Sequence, residues 1–174
     1  DKPAFLRQGL SAAERGTATH KFMQFIPFDQ TPLTQVCEEL VQRGTLSRQE
    51  GAALDLEQIE RFRRSDLARR IAASPYVERE YRFLSQVPAM QYDPDLVGYE
   101  EPIMLQGVID LFFEENGGIT LVDYKTDRSD DAAYYAKKYA VQLQLYAQAL
   151  EKLIGKTVKR RVIYAFSCQK EIDV

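Results

Sequence analysis

The sequence predicts one mixed α/β domain over residues 1–174, with a helical segment first and a mixed sheet flanked by helices after it. Three observations carry this reading. Helical patterns with two capping-box signatures fill the chain up to Pro75, two apolar runs then flank an Asn-Gly pair, and a long helical pattern follows before a last apolar run. A single helix between strands permits a parallel crossover, so the sheet is expected to be mixed rather than purely antiparallel.

The first helix is expected from Ser11 to about Ile26, because Ser11 with Glu14 three residues on makes a capping box and Pro27 closes the run. Further helices are expected at about Leu33 to Arg43, Ser47 to Leu54 and Leu56 to Ala73. Ser47 with Glu50 repeats the capping signature, and a short break falls near Asp55. From Val77 to Pro88 the pattern alternates, with Val77, Tyr81, Phe83 and Val87 inward. Pro102 to Phe113 and Gly118 to Lys125 are two strands joined by Glu114-Glu115-Asn116-Gly117-Gly118, whose Asn-Gly pair tolerates positive φ and closes a hairpin. A long helix over about Asp131 to Ile154 follows, ended by Gly155, with Val141, Leu145, Leu150 and Leu153 as its apolar stripe. Val158 to Ser167 reads as the last strand. No internal repeat, low-complexity segment or linker interrupts this order.

Composition narrows the function classes. The 174 residues are 45 % hydrophobic and 28 % charged, ordinary for a globular domain. No stretch approaches the ~20 apolar residues of a membrane span, so no membrane partner is expected. The net charge of -3 does not announce nucleic acid by itself, since sequence-independent binding rests on Lys and Arg neutralising phosphates. Two clusters of basic residues, Arg61 to Arg70 and Lys156 to Arg161, read first as solvated faces. Cys37 and Cys168 lack metal-ligand spacing, which makes a reduced cytoplasmic setting the default and both thiols small hydrophobes. The chain starts at Asp1 rather than methionine, and the expectation is a piece of a longer polypeptide.

The hairpin poses the chemical question. Its two apolar runs carry Asp110, Asp123 and Lys125, and burying such charges costs several kcal/mol unless they are paired or hold a metal. A turn at Asn116-Gly117 sets opposite residues at numbers summing to about 233, which places Asp110 across from Asp123. Asp123 and Lys125 share a face, while Tyr124 points the other way. Two facing carboxylates repel unless a cation lies between them, and hard divalent ions such as Mg²⁺ choose carboxylate and carbonyl oxygens. The backbone carbonyl of Tyr124 is within reach of the same half-site. Lys125 either pairs with one aspartate for structure alone or steadies an attacking water and the charge of a phosphoryl transition state.

The pattern Gly107-Val108-Ile109-Asp110 followed by Asp123-Tyr124-Lys125-Thr126 resembles the PD-(D/E)xK nuclease motif in its RecB-type form. Gly16-Thr17-Ala18-Thr19-His20 resembles the N-terminal helix motif that supplies a metal-binding histidine in that family. Gln142 to Leu150 resembles its Q-x-x-x-Y motif, with Gln142 and Tyr146 four residues apart on one helix face. Ile109 stands where the family's name has proline. Glu14-Arg15-Gly16-Thr17 before His20, the helical insert after Pro32 and Arg79-Glu80-Tyr81-Arg82-Phe83 are similar to the C-terminal nuclease domains of AddA-type (RexA-type) helicase–nuclease subunits.

That resemblance implies a restriction-endonuclease-like fold and a DNA exonuclease dependent on Mg²⁺, with Mn²⁺ as a substitute. It implies His20, Asp110, Asp123 and the Tyr124 carbonyl as metal ligands, with Lys125, Gln142 and Tyr146 in the catalytic set beside the two aspartates. Glu80 either approaches the same site from the first strand or pairs with a nearby arginine. Tyr134, Tyr135 and Tyr139 are assigned to packing ahead of base stacking. The implied partners are DNA, helicase domains upstream in the same chain and an AddB (RexB) subunit, in double-strand-break repair by recombination. Some relatives hold an iron–sulfur cluster on four cysteines, which two cysteines cannot do, and no nucleotide site is expected in this domain. A stand-alone RecB-like exonuclease and an inactive nuclease-fold module that binds DNA are the competing readings.

Overall fold

The computed structural model describes residues 10–93 and 95–174. The chain divides into two compact units, Asp1–Ala72 and Ala73–Val174. The first is helical: α1 (Ala12–Met23), α2 (Leu33–Gln42), α3 (Arg48–Ala53), α4 (Leu56–Arg63) and α5 (Asp66–Ala73). Both capping boxes form, with Ser11 and Ser47 accepting from the amides of Glu14 and Glu50 while each glutamate accepts from its serine's amide. Glu50 also accepts from Lys21 Nζ at 2.6 Å, which ties α3 to α1, and this partner above all holds its carboxyl below the ordinary range. Phe22, Ile26, Leu46, Ile59, Phe62 and Leu67 are buried in this unit.

Two expectations for this unit change. The first helix ends at Met23 rather than near Ile26. The helix expected over Leu56–Ala73 is two helices, because Arg64 closes α4 and the Ser65 hydroxyl oxygen then accepts from the Ala68 amide, restarting the chain as α5. The break near Asp55 is where the sequence puts it, and Asp55 caps α4 by accepting from the Gln58 amide.

The second unit is a five-stranded sheet in the order β1 (Val77–Val87), β2 (Ile103–Glu115), β3 (Gly118–Lys125), β4 (Val158–Ala165) and β5 (Lys170–Asp173). A short helix, α6 (Ala89–Tyr92), follows β1. The first three strands pair antiparallel, β3 and β4 pair parallel, and β4 and β5 pair antiparallel, so the sheet is mixed as expected. The crossover is α7 (Ala132–Ile154), capped by Asp131 and stopped by Gly155 at φ 69°. Asn116 and Gly117 both take positive φ, 51° and 69°, which is what a two-residue hairpin turn demands. β5 and α6 lie beyond the sequence reading. β5 is only four residues long, and its hairpin turns through Gln169 at φ 56°.

Helix α7 packs on the sheet along the row Tyr135, Tyr139, Leu143, Tyr146, Ala147, Leu150 and Ile154, against Phe83, Ile109, Phe112, Ile119, Leu121 and Ile163. The expected stripe is therefore corrected at two of its four positions. Leu145 and Leu150 are buried, but Val141 is 63 % exposed and Leu153 47 % exposed, because the buried row starts from Tyr135 and steps by three or four residues past both. On β1, Phe83 and Val87 are buried as expected, while Val77 and Tyr81 are half-buried. Among the described residues no helix is long and apolar enough to cross a membrane.

Candidate active site

The hairpin register matches the sequence arithmetic. Every β2–β3 pair sums to 233, from Glu115↔Gly118 to Leu111↔Val122, and pairing stops one step before Asp110 and Asp123. β2 continues with β1, and β3 continues beside β4, so the two strands part at the aspartates. Asp110 sits in that fork and its Oδ2 accepts from the Tyr124 amide at 2.8 Å. The carboxylate thus takes over an amide that the ladder has released, which satisfies the donor and fixes the side chain at once.

Asp123 is buried, 7 % exposed. Its Oδ2 lies 2.7 Å from Lys125 Nζ, a contact of charge rather than an aligned hydrogen bond. The ion pair weighed for Lys125 is therefore present, with the lysine and aspartate on one face as period-two geometry requires. Tyr124 points to the opposite face and is buried. Burial first, and the Asp110 charge second, push its hydroxyl well above the usual range. Tyr124 is thus a neutral packing group at any ordinary pH, and only its backbone is available for ligation.

The opposite neighbour of Asp110 is Glu80. β1–β2 pairs sum to 190 on both sides, Arg79↔Leu111 and Tyr81↔Ile109, yet Glu80 and Asp110 do not pair. Glu80 has φ 52°, a left-handed conformation that costs a non-glycine residue on the order of 1 kcal/mol or more. The kink reverses the alternation of the ribbon, so that Ile109 and Phe112, of opposite parity, enter the same core. Glu80 Oε1 lies 3.6 Å from Arg82, the surface pairing weighed for it in the sequence.

On α7, Gln142 Nε2 donates to the Tyr146 hydroxyl at 3.2 Å, as their spacing predicts. The Tyr146 ring meets Phe83 edge to face at 4.9 Å, directly over Gly107. A Cβ at Gly107 would stand 2.7 Å from carbons of both rings, closer than any real contact. Gly107→Ala is therefore expected to lower stability by about 1–3 kcal/mol and to displace Tyr146. Denaturant unfolding checks the first effect, and the ring-proton signals of Tyr146 check the second.

Sequence reasoning missed the surroundings of Lys125. Its ammonium lies 4.2 Å from the centroid of the Tyr139 ring. Tyr139 donates through its hydroxyl to Asp127 Oδ2 at 2.6 Å, and Lys138 Nζ lies 3.1 Å from Asp127 Oδ1. The signal was available, since Tyr139, Gln142 and Tyr146 are spaced three and four apart on one helix face. What it lacked was the contact with a strand end, which only the packed fold supplies. Burial, with Asp127 second, pushes the Tyr139 hydroxyl up to about 12, so it remains a donor across the physiological range.

Burial alone would raise the Asp127 carboxyl, but hydrogen bonds from Tyr139 and Lys138 outweigh it and hold the group below its ordinary value. A depressed folded value means that this stabilisation is complete above the unfolded aspartate value of about 3.9 and fades as pH falls through the folded one. Asp127→Asn should accordingly flatten the acid limb of the stability profile, read as melting temperature between about pH 5 and 2.

His20 lies in the last turn of α1, half-buried within the first unit. Among the described residues no group of three or more His, Cys, Asp or Glu gathers as a metal site. The donors the hairpin does offer, two carboxylates at a strand fork, are hard oxygens suited to a hard divalent cation.

The comparisons with known proteins agree with this chemistry. Over 95 % of its length the chain is 36 % identical to a Bacillus licheniformis protein described as a subunit of an ATP-dependent helicase/nuclease. It is 35 % identical over 99 % of its length to the Clostridium perfringens protein of that description, and 38 % identical over 95 % to the Acetivibrio thermocellus one. The matches cover 15 %, 15 % and 14 % of those proteins, so the chain spans about one-seventh of the relatives it matches. The mixed sheet with its helices is the restriction-endonuclease-like arrangement. Residues 2–172 match the PD-(D/E)XK nuclease superfamily, whose members generally use divalent metal ions, and the chain belongs to that superfamily.

Proposed function

We propose that this chain is a metal-dependent DNA exonuclease domain of a bacterial ATP-dependent helicase–nuclease that processes double-strand breaks for recombination. Residues 1–174 act in this reading as one nuclease domain, and the cytoplasm is its setting. The observation that carries it is the strand fork, with Asp110 and Asp123 at its opening and the Lys125 ammonium 2.7 Å from Asp123. The similarity over 95 % or more of the chain to helicase/nuclease subunits supports helicase domains in the same polypeptide; AddB as the second subunit follows from the family resemblance.

Asp110 and Asp123 would hold a divalent cation, Mg²⁺ or Mn²⁺, with the Tyr124 carbonyl as a further ligand; a ligand role for His20, which belongs to the other compact unit, rests on the family resemblance alone. When bound, the cation supplies Lewis-acid polarisation of the scissile phosphate. The chain's own groups do the rest. Lys125 holds its ammonium against the phosphate oxygens that gain charge as a water oxygen bonds to phosphorus and the P–O ester bond breaks. The attacking water loses a proton to solvent, and the leaving oxygen takes one up. Gln142, exposed and bonded to Tyr146, orients the water or the phosphate, and Tyr146 keeps it there through its contact with Phe83. Glu80, opposite Asp110 in register, is a further carboxylate in this reading.

Digestion of end-labelled single- and double-stranded linear DNA with Mg²⁺, with Mn²⁺ and with EDTA tests this. Cutting that needs the cation supports the proposal. A chain that binds no divalent cation by calorimetry and cuts nothing would instead be an inactive nuclease-fold module.

A further inference from the structure

The Lys125 side chain at the fork is held on two sides. It reaches the end of β3 with a flexible four-carbon stem and a charge that many geometries would satisfy. Two contacts fix it: Asp123 Oδ2 at 2.7 Å and the face of the Tyr139 ring at 4.2 Å. The ring is itself held. Its hydroxyl donates to Asp127 Oδ2 at 2.6 Å, and Tyr135 lies beside it with centroids 6.5 Å apart and planes 28° apart. Tyr135 is fully buried, and its hydroxyl bonds the carbonyls of Asp127 and Ser129 and the hydroxyl of Ser167, locking the β3–α7 loop to the helix.

We infer that Tyr139 is a positioning residue for Lys125, its ring face being the wall that aims the ammonium. The inference rests on the catalytic role proposed for Lys125. A ring face attracts the cation without occupying it as a carboxylate does, since the attraction comes from the ring quadrupole and leaves N–H donors free on the other side. Those are the donors a phosphate oxygen needs. Asp123 alone does not suffice, because a carboxylate that also ligates a cation shares its charge between two partners. Helix α7 and the Tyr135 ring beside it hold the Tyr139 ring, with the hydroxyl's bond to Asp127 as a further tie that the ring's placement does not require, and Lys138 balances the Asp127 charge on its other oxygen.

The test compares Tyr139→Leu, Tyr139→Phe and Lys125→Ala in the full chain by steady-state cleavage of labelled DNA. It adds a carbon–proton spectrum of the Lys125 ε-methylene in the wild type and both Tyr139 variants. A stacked ring shifts those protons upfield. The expected result is an upfield ε-methylene in the wild type, retained in Tyr139→Phe and lost in Tyr139→Leu. Tyr139→Leu should lower kcat roughly 5- to 30-fold with KM nearly unchanged, the loss of a desolvated cation–π contact, and Tyr139→Phe should keep most of the rate. An ordinary lysine ε-methylene position in the wild type overturns the inference without any variant needing to fold. So does a Tyr139→Phe variant as slow as Tyr139→Leu. Wild-type rate in Lys125→Ala overturns the catalytic reading of the lysine instead, while the spectrum still decides whether the ring holds it.

Discussion

Asp123→Asn and Asp110→Asn are each expected to reduce the proposed cation-dependent DNA cleavage by at least about 10²-fold, the scale for removing a preorganised electrostatic group from a reaction centre. Their effects on the fold differ, and the difference tests the geometry. The Asp110→Asn variant keeps an acceptor oxygen for the Tyr124 amide, which Asp110 Oδ2 binds at 2.8 Å, so the strand fork persists and the melting temperature changes little. The Asp123→Asn variant loses the carboxylate that lies 2.7 Å from Lys125, leaving an ammonium only 16 % exposed without its anion, and stability falls by about 1–2 kcal/mol. Both variants should lose calorimetric affinity for Mn²⁺ if the two aspartates hold the cation as proposed. Cleavage within about threefold of wild type in either variant, far short of the loss expected for a group at the reaction centre, would remove that aspartate from the site.

How much of this the chain announces varies with the range of the interaction involved. Capping boxes at Ser11 and Ser47, the Asn-Gly turn and the glycine stop at Gly155 are local, three or four residues long, and the structure has each where the sequence puts it. The hairpin register is also readable, because a two-residue turn leaves only one set of pair sums and β2 and β3 keep to it. The parting of the strands at Asp110 is not readable. It arises because β1 holds one side of β2 and β4 one side of β3, and nothing within the hairpin encodes those outer neighbours. The left-handed backbone at Glu80 is hidden for a similar reason, since glutamate has no preference for φ 52° and only the surrounding pairs impose it. Helix α7 shows the limit most clearly. Its length follows from its caps, but two apolar residues, Val141 and Leu153, face outward while Tyr139, read as ordinary packing, meets the Lys125 ammonium.

Lys125→Met is expected to make the stability of the chain depend on divalent cation. In the wild type the Lys125 ammonium compensates Asp123, and the two side chains are 16 % and 10 % exposed. With methionine the Asp123 charge stays behind in a dry site, which costs about 2–3 kcal/mol, somewhat below the loss for a fully buried pair because both partners keep some solvent. In EDTA the variant should therefore melt several degrees below wild type. A divalent cation that binds the folded state supplies the missing positive charge and stabilises by RT ln(1 + [L]/Kd), about 2.7 kcal/mol at a hundred times Kd. Added Mn²⁺ should thus raise the melting temperature of Lys125→Met more than that of the wild type, where Lys125 already competes for the carboxylate. Cleavage should remain low even with the cation bound, because the ammonium proposed to face the phosphate is gone. The double variant Asp123→Asn/Lys125→Met removes both charges, so its stability in EDTA should exceed that of Lys125→Met and show no response to Mn²⁺ at this carboxylate. A lysine variant as stable as wild type in EDTA would mean that the pair contributes nothing to folding. One equally destabilised with and without Mn²⁺ would mean that Asp123 does not bind the cation, and the hairpin would then be a structural ion pair.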